Sequence, residues 1–342
     1  TATGTYYYRL SATSTGSGCT TPVYSASASL QVVADPTVGT QPTSPATICV
    51  DGTTANMTAT GSGGTGTFSY QWQYNNGGTW GNVANGTPAG STYTGGTSST
   101  FSVAGISTAG SYQYRCIISQ TGSGCSQLTT NTATVTVVAD PSLSGATRTN
   151  SVICTGGSSV FSSTLSNGTG TVGYQWQYST DNATWSSVAA GTPAGATYTN
   201  PTSTSMTIGG ITATGTYYYR LSATSTGSGC TSPVYSASAT LQVVADPTVG
   251  TQPTSPATIC VGGTSANMTV AGSGGTGTFS YQWQYNNGGT WGNVSNGTPA
   301  GSTYTGGTAT TFSVAGISTA GSYQYRCVIS QTGSGCSQLT TN

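Results

Sequence analysis

Cysteine is the residue in this sequence best suited to covalent chemistry, and its spacing is regular. Cys49 and Cys125 lie 76 residues apart, and Cys154 to Cys230 and Cys260 to Cys336 repeat that separation. One spacing in three copies predicts one disulfide within each of three domains, Cys49–Cys125, Cys154–Cys230 and Cys260–Cys336. Closing a loop of that size stabilises a fold by roughly 4 kcal/mol on the chain-entropy view. Cys19 corresponds to Cys230, with its partner expected ahead of residue 1. Cys116 and Cys327 are left over, and Leu221 fills their position elsewhere in the chain. They read as buried thiols acting as small hydrophobes, with a reactive or cross-chain cysteine as the alternative. Stable disulfides belong to an oxidising compartment, so the expected location is secreted and cell-surface associated.

Other chemistry is scarce. Charged residues make up 3% of the 342, as five Arg and five Asp, with no His. No Cys-x-x-Cys accompanies the cysteines, so a zinc site is not expected. A Ser or Cys nucleophile lacks a His base, and no carboxylate pair serves glycoside hydrolysis. The expectation is a protein that is not an enzyme and carries no cofactor or metal. Asp35, Asp140 and Asp246 stand one per domain boundary, too few carboxylates for a calcium-stiffened linker. Without a basic cluster no nucleic-acid partner is expected, and without a long apolar run no membrane insertion. Near-zero net charge removes the repulsion that keeps chains apart, which favours association.

The elements that must position these groups are strands. Phe68-Ser-Tyr70-Gln-Trp72-Gln-Tyr74 alternates with period two, and it recurs around Trp176 and Trp283. Alternation puts Tyr70, Trp72 and Tyr74 on one face and Gln71 and Gln73 on the other. Trp72, Trp176 and Trp283 are therefore the expected core aromatics of three β-sandwiches. Within one domain the pattern predicts strands over 55–60, 68–75, 80–84, 100–106, 110–119 and 132–138, with Phe101 and Val103 inward. Gln71, Gln73, Gln113 and Arg115 form an outward row, with Tyr218 and Arg220 as its counterpart. That row reads as a solvated face, or else as a contact surface between neighbouring molecules.

Self-comparison gives a shift of 211 residues: Gly4–Leu10 returns as Gly215–Leu221, and Trp72 as Trp283. A weaker half-repeat relates Trp72 to Trp176, so two cousin domain types alternate. Val-Ala-Asp-Pro marks the boundaries at residues 33–36, 138–141 and 244–247. The expected organisation is a type A fragment at 1–35, a type B domain at 36–139, a type A domain at 140–245 and a type B domain at 246–342. No Gly/Ser linker intervenes, which predicts stiff junctions. Residues 1–35 hold two final strands, and the last domain lacks its closing one. A head with two strands does not match a tail wanting one, so simple strand donation between identical chains is not the expectation. A window on a longer periodic chain is.

Gly110-Ser-Tyr112-Gln-Tyr114-Arg-Cys116 resembles the penultimate strand of immunoglobulin-like domains, with Tyr112 and Tyr217 matching the corner tyrosine. Tyr114 or Tyr219 fills the usual strand-cysteine position, which rules out the ordinary inter-sheet bridge. Together with Ile48-Cys49 and Gly124-Cys125-Ser126, these motifs are similar to tandem Ig-like repeats of very large secreted surface proteins of Bacteroidota-type bacteria. The resemblance implies an all-β fold of tandem immunoglobulin-like β-sandwich domains, in adhesin stalks, matrix or filaments. The expected function is structural: a component of an extracellular filament, stalk or matrix fibre whose partners are copies of the same chain. The alternative is a surface adhesin that binds glycan or another cell surface.

Overall fold

The computed structural model describes residues 2–19 and 21–342, and every regular element among them is a β-strand. The chain divides into two compact units. One comprises Thr1–Pro141 with Asn167–Val172 and Ser225–Thr231; the other comprises Ser142–Ser166, Gly173–Thr224 and Ser232–Asn342.

The first unit is built around Trp72. Strand Phe68–Asn76 buries Trp72 completely and half-buries Tyr70 and Tyr74. The indole stacks on Phe101 with ring centroids 4.6 Å apart, and its N–H donates to the Ser98 carbonyl at 2.9 Å. That bond satisfies the one polar atom such burial would strand. Six strands form the larger sheet. Leu128–Thr129 pairs antiparallel with Gly110–Gln120, and the other five run in the order Thr79–Asn82, Phe68–Asn76, Gly110–Gln120, Ala133–Val138 and Ile48–Cys49. The last pair is parallel and the others antiparallel. Thr92–Thr94, Thr100–Ala104 and Met57–Thr58 make the facing sheet. Two such sheets packed through alternating inward residues are an immunoglobulin-like sandwich. Its corner is present: the Tyr112 hydroxyl donates to the Thr108 carbonyl at 2.7 Å. The expected strands appear with ends shifted by a few residues, except that 55–60 is split: Met57–Thr58 lies in the facing sheet, whereas Thr60–Ser62 pairs with Thr37–Thr40.

Ahead of this sandwich, Gly4–Tyr8 pairs antiparallel with Ala28–Val32. All five residues of the first strand and four of the second are exposed, among them Tyr7 at 73% and Leu30 at 54%.

The second unit holds two cores. Around Trp176 the larger sheet runs Val152–Cys154, Ala239–Val244, Gly215–Ser225, Val172–Ser179 and Ser186–Ser187. Trp176 meets Phe161 edge-to-face at 6.1 Å rather than stacked, and Leu221 is fully buried. The other core repeats the Trp72 arrangement, with Trp283 stacked on Phe312 at 4.5 Å. Its sheet is Thr290–Asn293, Phe279–Asn287, Tyr325–Gln331 and Leu339–Thr340. On the edge of Gly321–Tyr325 away from Phe279–Asn287 no strand lies among the described residues, where Ala133–Val138 lies beside Gly110–Tyr114 in the first unit. An open groove of about 910 Å³ occupies that position, lined by Ile259, Cys260, Tyr323 and Tyr325 among others.

Candidate functional site

The cysteines do not pair as their spacing suggests. The bridges are Cys49–Cys230 and Cys154–Cys336, with Cα atoms 4.9 Å apart in each, while Cys125 and Cys260 carry free thiols. The register explains why Cys49–Cys125 does not form. Cys49 pairs beside Val138, and Val137 lies opposite Gly110, so Cys49 sits at the start of strand Gly110–Gln120. Cys125 follows the far end of that eleven-residue strand. At about 3.3 Å per residue the two are separated by roughly 35 Å, well beyond the reach of a disulfide. The same layout excludes Cys154–Cys230 and Cys260–Cys336.

What brings Cys230 to Cys49 is the boundary sequence itself. The Val50 N–H donates to the Val138 carbonyl at 2.9 Å, which fixes Cys49 at the end of the last strand. Two residues further on, the Asp140 carboxylate accepts from the Thr231 N–H at 3.1 Å and from its hydroxyl, which fixes Cys230. Val138 and Asp140 are near neighbours in the chain, so the two sulfurs meet. In the second unit the Thr155 N–H donates to the Val244 carbonyl at 3.0 Å, and the Ser337 hydroxyl donates to the Asp246 carboxylate at 2.8 Å. The boundary aspartates thus act as hydrogen-bond acceptors for the loop that carries the bridging cysteine, a role the sequence reading did not assign.

Around each bridge the fit is close. The Cys49 N–H donates to the Ser228 carbonyl at 2.9 Å. The Ser228 hydroxyl accepts from the Thr53 N–H at 2.9 Å and donates to the Thr53 carbonyl at 2.8 Å. Ser334 makes the same three bonds with Cys154 and Ser158. Glycine is required here. A Cβ on Gly52 would lie 2.5 Å from the Ser228 carbonyl oxygen, and one on Gly157 would lie 2.3 Å from that of Ser334. Gly229, at φ +79°, packs on Gly52. Each site is a backbone-to-backbone clasp closed by a disulfide, at the residues where one core aromatic repeat gives way to the next.

The leftover cysteines are buried. Cys116 and Cys327 are fully enclosed, and burial pushes each thiol up to about 11. Their backbone N–H groups donate to Thr130 and Thr341 hydroxyls. Charge-free burial of this kind suits a packing residue rather than a nucleophile.

The polar row lies on one sheet, as expected for Gln73, Gln113 and Arg115. Arg115 Nε donates to Gln73 Oε1 at 3.0 Å and its guanidinium covers Trp80 at 4.3 Å. Asn75 donates to Gln113 Oε1 at 2.8 Å. The Gln71 amide donates to the Trp72 carbonyl at 2.9 Å. In the second unit Arg220 Nε donates to Gln177 at 2.8 Å, and the guanidinium lies between Trp185 and Tyr235, 4.2 Å from each ring. Tyr218 stands on the same strand, half-buried. Arginine over tryptophan is a cation–π pair that covers the ring face a flat ligand would need.

Comparison with known proteins adds fold-level likeness. Residues 143–245 match a family described as a domain of unknown function, DUF8696. No curated protein matches. Among solved structures the chain is similar to titin domains A168–A170, at 11% identity and a TM-score of 0.36 over 90% of this chain and 97% of that one. It is similar to the Escherichia coli adhesin FdeC at 16% identity and a TM-score of 0.36, over 90% and 96%. The eight N-terminal Ig domains of Down Syndrome Cell Adhesion Molecule align at 14% identity and a TM-score of 0.34, covering all of this chain and 39% of that one.

Proposed function

We propose that the chain is a structural component of an extracellular filament, stalk or matrix fibre, secreted and associated with the cell surface. Its Ig-like sandwiches bear load and do no catalysis. The observation that carries this reading is the placement of the disulfides. A bridge confined within a domain protects only that domain. Cys49–Cys230 and Cys154–Cys336 instead tie the opening strand of one sandwich to a hairpin loop that the sequence assigns to the next. Material that must hold together along its length benefits from such bonds, and a single soluble domain does not need them. Copies of the same chain are the expected partners, associating through neutral faces that charge does not push apart.

Under the adhesin alternative an open aromatic platform would meet glycan. Trp80, Trp185 and Trp291 are the half-exposed indoles, and Arg115, Arg220 and Arg326 cover them. The polymer reading is therefore preferred. Electron microscopy of the native material tests it. Ordered fibres whose axial repeat equals one pair of sandwiches are the expected result, and isolated chains without contacts between them would overturn the reading.

A further inference from the structure

Asparagine followed by glycine is the pair of residues in this chain most open to a reaction with water alone. It occurs five times, at Asn76-Gly77, Asn85-Gly86, Asn167-Gly168, Asn287-Gly288 and Asn296-Gly297, and all five asparagines are exposed. The reaction begins at the glycine backbone nitrogen, which must reach the asparagine side-chain carbon. A residue with no Cβ leaves that approach clear. The nitrogen must also give up its proton. An N–H that donates to a carbonyl is held in place and away from the side-chain carbon, so its hydrogen bond has to break first.

The five sites divide on this point. The Gly86 N–H donates to the Ser91 carbonyl at 2.7 Å, and the Gly297 N–H to that of Ser302 at 2.7 Å. The Gly168 N–H donates to the Ala139 carbonyl at 3.0 Å. Two of these asparagines are tied as well, for Asn85 Oδ1 accepts from the Tyr93 N–H at 3.0 Å and Asn296 Oδ1 from the Tyr304 N–H at 2.9 Å. At Asn76-Gly77 and Asn287-Gly288 neither the glycine N–H nor the asparagine side chain has a hydrogen-bond partner among the described residues. Asn76 and Asn287 close their strands opposite Thr79 and Thr290, so Gly77–Gly78 and Gly288–Gly289 are two-residue hairpin loops. Their φ values, +61° and +96° in the first and +63° and +93° in the second, are of the sign that a type I′ hairpin requires. A Cβ placed on any of these loop glycines would meet nothing within 4 Å, so the tips stand in open solvent.

We propose that Asn76 and Asn287 are sites of spontaneous deamidation with water as the only co-reactant, while the bonded glycine N–H groups hold Asn85, Asn167 and Asn296 out of the reaction. A solvent base removes the proton of the Gly77 nitrogen, which then bonds to Asn76 Cγ. The Cγ–Nδ2 bond breaks, ammonia leaves, and a cyclic imide is closed. Water adds at one of the two imide carbonyl carbons. Opening the bond from nitrogen to Cγ gives aspartate, and opening the bond from nitrogen to the main-chain carbonyl carbon gives isoaspartate. No oxidant or reductant takes part, and Asn287 with Gly288 follows the same steps. Either product is a carboxylate at neutral pH, so a chain of zero formal net charge gains one negative charge per event. Isoaspartate also adds a carbon to the main chain at the tip. That shifts a hairpin whose register is held by the Gly78 N–H donating to Asn75 Oδ1 at 2.8 Å and by Trp80 pairing opposite Asn75.

The chemistry is that of a single chain and stands whether or not chains polymerise. The test incubates the intact, disulfide-bonded chain at pH 8 in water enriched in heavy oxygen, beside a sample reduced and unfolded in guanidinium. Peptide mapping reads the labelled carboxyl at each asparagine, and electron-transfer fragmentation separates aspartate from isoaspartate. Each folded rate is divided by its own unfolded rate, which removes the effect of neighbouring residues. The ratios for Asn76 and Asn287 are expected to exceed those for Asn85, Asn167 and Asn296 by about tenfold, the factor one hydrogen bond supplies. Isoelectric focusing should show acidic species growing with time, and the double variant Asn76→Gln, Asn287→Gln should lack them. Equal ratios at all five sites would overturn the proposal, and so would faster labelling at any site whose glycine N–H is bonded. Acidic species that persist in the double variant at the same rate would overturn it as well.

Discussion

The sandwich around Trp72 and the sandwich around Trp283 share nearly the same residues, but among the described residues the second has no counterpart of strands Ile48–Cys49 and Ala133–Val138. Their innermost layer is indifferent to those strands, for Trp283 stacks on Phe312 as Trp72 stacks on Phe101, at 14° in both. The difference appears one layer out. Tyr114 is fully buried while Tyr325 is half-buried, Ile106 is at 0% exposure and Ile317 at 7%, and the strand that carries the tyrosine shortens from eleven residues to seven. The aromatic stack is thus set locally by neighbouring strands, and the closing strand seals the edge and fixes the cysteine that follows the opening segment.

The comparison can be broken most forcefully at its centre. Trp72→Ala should destabilise its sandwich by about 4 kcal/mol, and Trp283→Ala by about 1 kcal/mol less, because an open edge lets the site collapse. Hydrogen exchange resolved by sandwich measures both, and equal losses would mean that the closing strand does not tighten the core. Next in size is the clasp. Cys49→Ser should cost about 3 kcal/mol in the first unit, whereas Cys260→Ser should leave the stability of the unassociated chain unchanged, as read from thermal unfolding.

Thiol reactivity sharpens the contrast further. With Cys116 and Cys327 pushed up to about 11 by burial, both stay protonated in the folded state until the pH approaches that value. At pH 8 iodoacetamide should modify exposed Cys260 roughly a hundredfold faster than Cys116. Cys327 should fall between them, because its sandwich opens more readily. The smallest effect is expected at glycine. Gly52→Ala drives a methyl into the Ser228 carbonyl and should cost about 2 kcal/mol, whereas Gly263→Ala, whose nearest contact is the Cys260 carbonyl at 3.0 Å, should cost about 0.5 kcal/mol. Chemical denaturation of the two variants distinguishes these values.

Much of the fold was legible because alternation is a local property. Tyr70-Gln-Trp72-Gln-Tyr74 declares a strand and a buried tryptophan without reference to the rest of the chain, and Tyr112 declares its corner four residues after the carbonyl it bonds. The bridges were not legible from the same reasoning. A constant separation shows that two positions recur together, but not that they share an end of the sheet. The length of Gly110–Gln120 contained the answer, since it places Cys49 and Cys125 at opposite poles. The aspartates were misjudged for a related reason. Counted as ligands they are too few, yet Asp140 needs to accept only from Thr231 to seat Cys230.

The overlap of the two bridges has a consequence for damage. Cys49–Cys230 spans every peptide bond from residue 49 to 230, and Cys154–Cys336 spans every one from 154 to 336. Any single break in the backbone between residues 49 and 336 therefore leaves one covalently continuous molecule. Bridges at the 76-residue spacing would have left the stretches 125–154 and 230–260 unspanned, so that one protease cut there would part the chain. Interlacing turns a linear chain into a connected network in which a single broken peptide bond between the outermost bridged cysteines no longer parts the molecule.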